Sequence, residues 1–234
     1  MKARRRAAGL KPAFDHMEAR TLLSAVGTEP PTMNTTVPDL VFADVGQIMD
    51  GWGRVTNGAW RRDATVPRNP AGYALAPATA FASLANYPDG LYQVSYKGDA
   101  TVVFSGVGAL TGPMTTGADG ITRGVIQVGG GVGAAAANRS LYLTVASTDA
   151  SNPMSDLHIW APGYSEGGPL YTSEYVASLR SFDFLRLLVW SDTNYSTVSQ
   201  WSQRAATDAI SGDGIVRPSY EEMIELANET GNDL

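Results

Sequence analysis

YPDGLYQVSYKGDATVVFSG, residues 87–106, is the stretch on which the fold turns. Leu91 to Tyr96 and Thr101 to Phe104 are short runs rich in β-branched and aromatic residues, and Lys97-Gly98-Asp99 sits between them where a hairpin turn belongs. Ile121 to Val128, Leu141 to Val145 and Leu157 to Trp160 have the same character, each bounded by Gly, Asp, Asn or Pro. Several such strands in succession predict an antiparallel β unit, a small sandwich, over residues 87–163. Within it Tyr92, Tyr96 and Tyr142 read as half-buried sheet residues, with an aromatic carbohydrate platform as the alternative. His158, between Leu157 and Ile159, reads as a satisfied sheet histidine. Gly129-Gly130-Gly131-Val132-Gly133 is not followed by helix-forming sequence with Lys-Ser/Thr, so it predicts a loose loop between strands, not a phosphate loop.

Upstream, DLVFADVGQIMDGWG predicts a helix from Asp39, with Val41, Val45, Ile48 and Trp52 on one face and Asp44 and Asp50 solvated. From Arg54 to about Asn86, Pro67, Pro70 and Pro77 punctuate an irregular segment, so residues 38–86 form the first helix and its irregular continuation. Downstream, residues 164–234 change character again. Phe182 to Trp190 is a nearly continuous apolar run, as suits a strand buried on both faces of a parallel sheet. Thr197 to Ile210 carries Val198, Trp201 and Ala205 at helical spacing. Pro218-Ser219-Tyr220-Glu221-Glu222 opens a further helix with Ser219 and Glu222 as a capping box and Met223, Leu226, Ala227 and Thr230 on one side. Strand, long loop, helix and then Asn232-Asp233-Leu234 predict a βα unit cut off before its next strand.

Composition narrows the function classes. The chain has 234 residues, 44% hydrophobic and 17% charged, as globular proteins do. A net charge of -6 argues against a nucleic-acid partner. With no cysteine there are no disulfides, thiolate metal sites or thiol catalysis, and two histidines, His16 and His158, make no zinc triad. Asp99, Asp149 and Asp156 lack the regular spacing of a calcium loop, and Asn-x-Ser/Thr triplets at Asn34, Asn138, Asn194 and Asn228 are explained by chance. No cofactor or metal is expected. No apolar run reaches the roughly 18 residues of a transmembrane helix.

The first 37 residues stand apart as a basic head, a weak apolar core and a Pro/Thr linker, TEPPTMNTTVP. The string Met17-Glu18-Ala19-Arg20-Thr21-Leu22-Leu23-Ser24 resembles the LE-x-R-x-LLS sorting motif of large exported planctomycete proteins, on Glu18, Arg20, Leu22, Leu23 and Ser24. A short amphipathic helix is the alternative. The sorting motif implies an extracellular or cell-surface location.

Four stretches in order carry a second resemblance: residues 87–106, LYLTVASTD (141–149), FDFLRLLVWSDTNYSTVSQWSQR (182–204) and PSYEEMIELANETGNDL (218–234). Together they resemble the N-terminal half of large secreted bacterial proteins related to clan-A glycoside hydrolases, over about residues 39–234. The resemblance implies a mixed α+β fold in which an antiparallel β-sandwich-like unit is inserted in the first elements of a truncated (β/α)8 barrel, the C-terminal half of which is missing. It also implies a secreted carbohydrate-active protein with a polysaccharide or glycan as partner. In the family a Trp-x-Asn-x-Pro strand and a later strand-end Asn-Glu catalytic pair follow, and this sequence carries neither; Asn228-Glu229 falls inside a predicted helix. Hydrolysis needs two placed carboxylates, so no catalytic residue is expected here. A non-enzymatic surface protein binding polysaccharide is the competing expectation.

Barrel sites lie at the C-terminal ends of strands, which points to Trp190, Asp192 and Asn194, followed by Trp201 and Arg204. An indole stacks on a pyranose face while Asp and Asn bond its hydroxyls. Against that, Trp190 closes a core, Asp192 or Asn194 caps a loop, and Trp201 is a buried anchor beside the aliphatic stem of Arg204. Exposed apolar edges are expected to make the chain prone to self-association.

Overall fold

Leu141, Leu143 and Val145 are buried while Tyr142 and Thr144 between them are not, the period-two alternation of a strand with one face in a core. The same alternation runs through the centre of a computed structural model describing residues 26–30, 40–57, 59–130, 139–207, 210 and 218–234. The sorting motif (Glu18, Arg20, Leu22, Leu23, Ser24) and most of the Gly/Ala loop lie outside the described residues, as do Asn34 and Asn138.

In chain order the strands are β1 (Gly27–Thr28), β2 (Asp50–Thr56), β3 (Ala59–Arg62), β4 (Ala78–Ser83), β5 (Gly90–Lys97), β6 (Ala100–Gly106), β7 (Gly108–Leu110), β8 (Thr115–Thr116), β9 (Ile121–Val128), β10 (Ser140–Thr148), β11 (Ser155–Trp160) and β12 (Phe184–Leu185). Helix α1 (Ser173–Leu179) precedes β12 and α2 (Tyr220–Thr230) follows it. One antiparallel sheet has the order β3-β2-β4-β10-β6, the other β11-β5-β9-β7 with β8 alongside β9. Their inner faces share one core. Leu141 of the first sheet converges with Ile126 and Val128 of the second over Gly108, where an added Cβ would meet Leu141 at 2.5 Å. The fold is therefore β-rich and mixed, with antiparallel sheets. All five expected strands between residues 87 and 163 are present as β5, β6, β9, β10 and β11.

The opening stretch itself is corrected. Lys97-Gly98-Asp99 does not close a hairpin, because β5 pairs with β9 and β11 whereas β6 pairs with β10. It is the corner at which the chain leaves one sheet for the other. Gly98 adopts φ +90° there, and an added Cβ would meet the Pro153 carbonyl at 2.1 Å, so glycine is required by both conformation and space.

The predicted helix from Asp39 is also absent. Residues 41–44 run extended beside Trp160 and Tyr171, Val45–Ile48 make a single 3-10 turn, and the chain continues as β2. Asp44 and Asp50 are buried, not solvated. Asp44 caps the turn by accepting the Gly46 N–H at 2.8 Å and accepts the Ile159 N–H at 2.7 Å, while Asp50 takes Arg62 at 2.7 Å. These tertiary bonds override a helical periodicity already weakened by Gly46. Residues 54–86, expected to be irregular, contribute β3 and β4, so the first sheet begins at Asp50.

Downstream, the apolar run 182–190 is not a long strand. β12 has two residues, after which Leu187 to Tyr195 form successive turns. Among the described residues of 197–210 only Trp201–Gln203 is helical, as one 3-10 turn. The last helix is as expected: Ser219 accepts the Glu222 N–H and the Glu222 carboxylate accepts the Ser219 N–H. β1 and β12 pair in parallel, and Phe184 also bridges Asp233 in parallel, so three short stubs lie side by side.

Candidate functional site

The turns that replace the expected strand build a cleft. Ser191 Oγ donates to the Leu187 carbonyl at 2.8 Å, and Asp192 takes φ 50°, a left-handed conformation that Asp tolerates better than most residues. This reversal swings Trp190 inward and leaves Asp192 on the rim. Trp190 is 1% exposed and stacks with Tyr175 at 6.4 Å and Tyr171 at 6.4 Å between ring centres, with Phe42 at 6.5 Å. Its core role, one of the two sequence alternatives, is thus observed, and its remaining edge floors the cleft.

The facing wall comes from the 3-10 turn and the start of α2. Gln203 holds the loop shut by accepting the backbone N–H groups of Ser199 and Gln200, each at 3.0 Å. Trp201 therefore projects outward and is 67% exposed. The buried-anchor reading of Trp201 is overturned. Its ring lies 6.2 Å from Tyr220 at an interplanar angle of 20°. The guanidinium of Arg204, not its aliphatic stem, covers the indole at 4.2 Å and is held by Glu221 at 2.6 Å.

The cleft holds about 310 Å³ and is lined by Trp190, Asp192, Arg204 and Tyr220 among others. Trp201 flanks it through its stack on Tyr220. Of the five residues expected from sequence, the structure brings together Trp190, Asp192, Trp201 and Arg204; Asn194 is exposed and outside the lining. Sequence reasoning missed Tyr195, 83% exposed, and Tyr220. The position of Tyr220, directly after the Pro218-Ser219 helix start, was the signal available.

The same helix start carries a perturbed acid. Glu222 is buried, its Oε1 has no hydrogen-bond partner among the described residues, and burial pushes its pKa up to about 7 despite the bonds from Ser219. It does not line the cleft. Tyr92 and Tyr96 point into the core between the sheets, whereas Tyr142 lies on the outer face beside Phe81 at 6.2 Å. His158 is bonded on both ring nitrogens, to Asp44 and Asp156. Among the described residues no group of three His, Asp or Glu side chains is arranged to hold a metal ion, and no helix is long and apolar enough to cross a membrane. Comparison of the chain with protein-family models, with curated proteins and with solved structures finds no match.

Proposed function

We propose that the cleft between Trp190 and Tyr220 binds a sugar ring, and that the chain is the polysaccharide-binding opening part of a secreted, glycoside hydrolase-like protein. The observation that carries this reading is the exposure of Trp201. A tryptophan two-thirds in water, kept rigid by Tyr220 and Arg204, offers an apolar face of the size of a pyranose at small entropic cost. Asp192 and the Arg204–Glu221 pair stand beside it to exchange hydrogen bonds with ring hydroxyls.

Binding, not hydrolysis, is assigned to these residues. Asp192 is the only carboxylate among the described residues of the lining, and Glu221 beside it is engaged by Arg204 at 2.6 Å, so no pair of free carboxylates is placed for hydrolysis. The barrel expectation is supported by the three parallel stubs, ordered Gly27–Thr28, Phe184–Leu185 and Asp233, with α2 returning the chain between the last two. The cleft-forming residues follow the C-terminal end of β12, the end at which barrels place their sites. Extracellular placement rests on the Glu18-to-Ser24 motif.

Affinity electrophoresis through gels carrying soluble neutral polysaccharides tests the proposal. Retardation by at least one of xyloglucan, galactomannan and mixed-linkage glucan, weakened in Trp201→Ala, is the expected result. Unretarded wild-type protein in all three would overturn the binding assignment, and retardation unchanged in Trp201→Ala would overturn the site.

A further inference from the structure

The two sandwich sheets have four edges, and three of them are protected. β3 carries Arg61 and Arg62, charges that oppose the approach of a further strand. β11 is flanked by the segment ahead of β2, through the Asp44–Trp160 bridge and the Ala161 N–H on the Ala43 carbonyl at 2.8 Å. β7 and β8 have three and two residues, too short to guide a neighbour.

β6 has none of these devices. It ends the order β3-β2-β4-β10-β6 with seven residues, Ala-Thr-Val-Val-Phe-Ser-Gly, free of charge and of proline. Val107 donates to the Ser140 carbonyl at 3.0 Å, continuing the register in which Ser105 faces Tyr142 and Val103 faces Thr144. The two-residue period of an antiparallel ladder then turns the backbone of Val103 and Ser105 towards β10 and that of Val102 and Phe104 outward. Among the described residues no other strand pairs with that outward edge. Val103, on the solvent face, is 50% exposed. Beside the edge the two sheets part in a cavity of about 680 Å³, with Tyr96, Val102, Leu110 and Met114 in its lining.

The sequence of β6 selects the occupant. An antiparallel copy centred on Val103 sets Val103 against Val103, Val102 against Phe104 and Thr101 against Ser105. These are β-branched, aromatic–β-branched and hydroxyl–hydroxyl pairs, the combinations that stabilise neighbouring strands. The same register brings the outward backbone groups of Val102 opposite those of Phe104, so both edges are satisfied together. No like charges meet, because the strand has none. Val102 and Phe104, on the core side, extend the lining of the cavity across the axis. We infer that β6 pairs with β6 of a second copy, joining two five-stranded sheets into one across a two-fold axis.

Sedimentation equilibrium of the full chain from about 1 to 100 μM tests this, a range in which interfaces of modest quality associate. A dimer is expected. Val103→Lys places two ammonium groups opposite each other from an exposed position, and is expected to weaken the dimer about tenfold or more with an unchanged far-UV circular dichroism spectrum. Cross-linking fixes the register, since the chain has no cysteine and a single introduced thiol can pair only with another copy. Opposed residues in the position of Val103 have Cα atoms about 4.5 Å apart, within disulfide reach, so Val103→Cys is expected to link when oxidised with diamide. Thr101→Cys alone is expected to stay unlinked, its copies lying roughly 13 Å apart, whereas Thr101→Cys mixed with Ser105→Cys links. A monomer throughout the range, a dimer indifferent to Val103→Lys, or Thr101→Cys linking as readily as Val103→Cys would each overturn the proposal. The Trp201 cleft shares no residue with β6, so these outcomes leave the polysaccharide reading as it stands.

Discussion

His158 sets its Nδ1 2.7 Å from Oδ2 of Asp44, a carboxylate sealed from solvent and 114 positions away in the chain. The other oxygen of Asp44 accepts the N–H groups of Gly46 and Ile159. On the far side of the ring, Nε2 meets Asp156 at 3.1 Å, and Asp156 holds Lys97 at 2.8 Å. This row of alternating charge ties the segment ahead of β2 to the strand β11. The hydrogen bond to Asp44, more than any other factor, lifts the His158 pKa to about 9 against the opposing effect of burial.

A pH dependence follows from that shift. The folded imidazole binds its proton more tightly than the ordinary group of pKa 6.5, so its contribution to stability is complete below pH 6.5 and fades as pH rises through about 9. Denaturant melts between pH 6 and 10 are expected to show declining stability, and His158→Gln to flatten the decline. Asp44→Asn removes one partner of a buried pair and is expected to cost about 3 kcal/mol at neutral pH. A wild-type profile level across the window would refute the assignment.

Glu222 acts in a lower window. Its folded pKa, about 7, exceeds the ordinary 4.5, so stability is lost as pH rises between these values. Glu222→Gln keeps a side-chain acceptor for the Ser219 N–H and removes the buried charge. The variant is expected to match the wild type at pH 4 and to exceed it by about 1–3 kcal/mol at pH 8, checked by urea melts at the two pH values. A loss of stability at pH 8 would show that the charged form is favoured in the fold.

Trp190 and Trp201 are predicted to separate folding from binding. Trp190→Ala empties a site stacked among three aromatic rings and is expected to cost about 3–5 kcal/mol. Trp201→Ala changes an exposed ring and is expected to move the melt by no more than about 0.5 kcal/mol while weakening polysaccharide retention. Calorimetry beside gel retardation distinguishes the two.

Arg139, 1% exposed, donates to the carbonyls of Leu84 and Tyr87 at 3.0 and 2.9 Å and reaches Asp89 at 2.8 Å. Arg139→Met fills much of the same space yet removes the buried donor shared by both carbonyls, leaving the Leu84 carbonyl with the Tyr87 N–H at 3.1 Å, and a loss of about 3 kcal/mol is expected in denaturant melts. A variant as stable as the wild type would refute a structural role for the buried guanidinium.

The strands easiest to read in the sequence are those whose alternation reports one buried face. β5, β6, β9, β10 and β11 have it. β4, Ala-Thr-Ala-Phe-Ala-Ser, has almost none, because small side chains pack under a neighbouring sheet without a strong apolar signal. In β2 the glycines have a spatial reason: at Gly53 an added Cβ would meet the Trp60 ring at 2.7 Å. Apolar content misled in Leu187 to Trp190, where hydrophobicity serves the insertion of one indole instead of a continuous ladder. The capping box of α2 was legible since its four residues act locally. The candidate cleft was legible by residue type but not by exposure: which of two tryptophans faces water depends on the loop closed by the Ser199 and Gln200 N–H groups donating to the Gln203 side chain, which no periodicity encodes.

β1 and β12 are hydrogen-bonded parallel neighbours, with Thr28 opposite Leu185 although 157 positions separate the two in the chain. Departure and return of everything between them thus occur within about one strand spacing, near 4.8 Å. A body tethered at two adjacent points can be excised behind a short loop, or transplanted into another host at any pair of neighbouring strands, with little demand on the surrounding scaffold. The sandwich is in this sense a cassette that recombination can move as one unit between pairs of neighbouring strands.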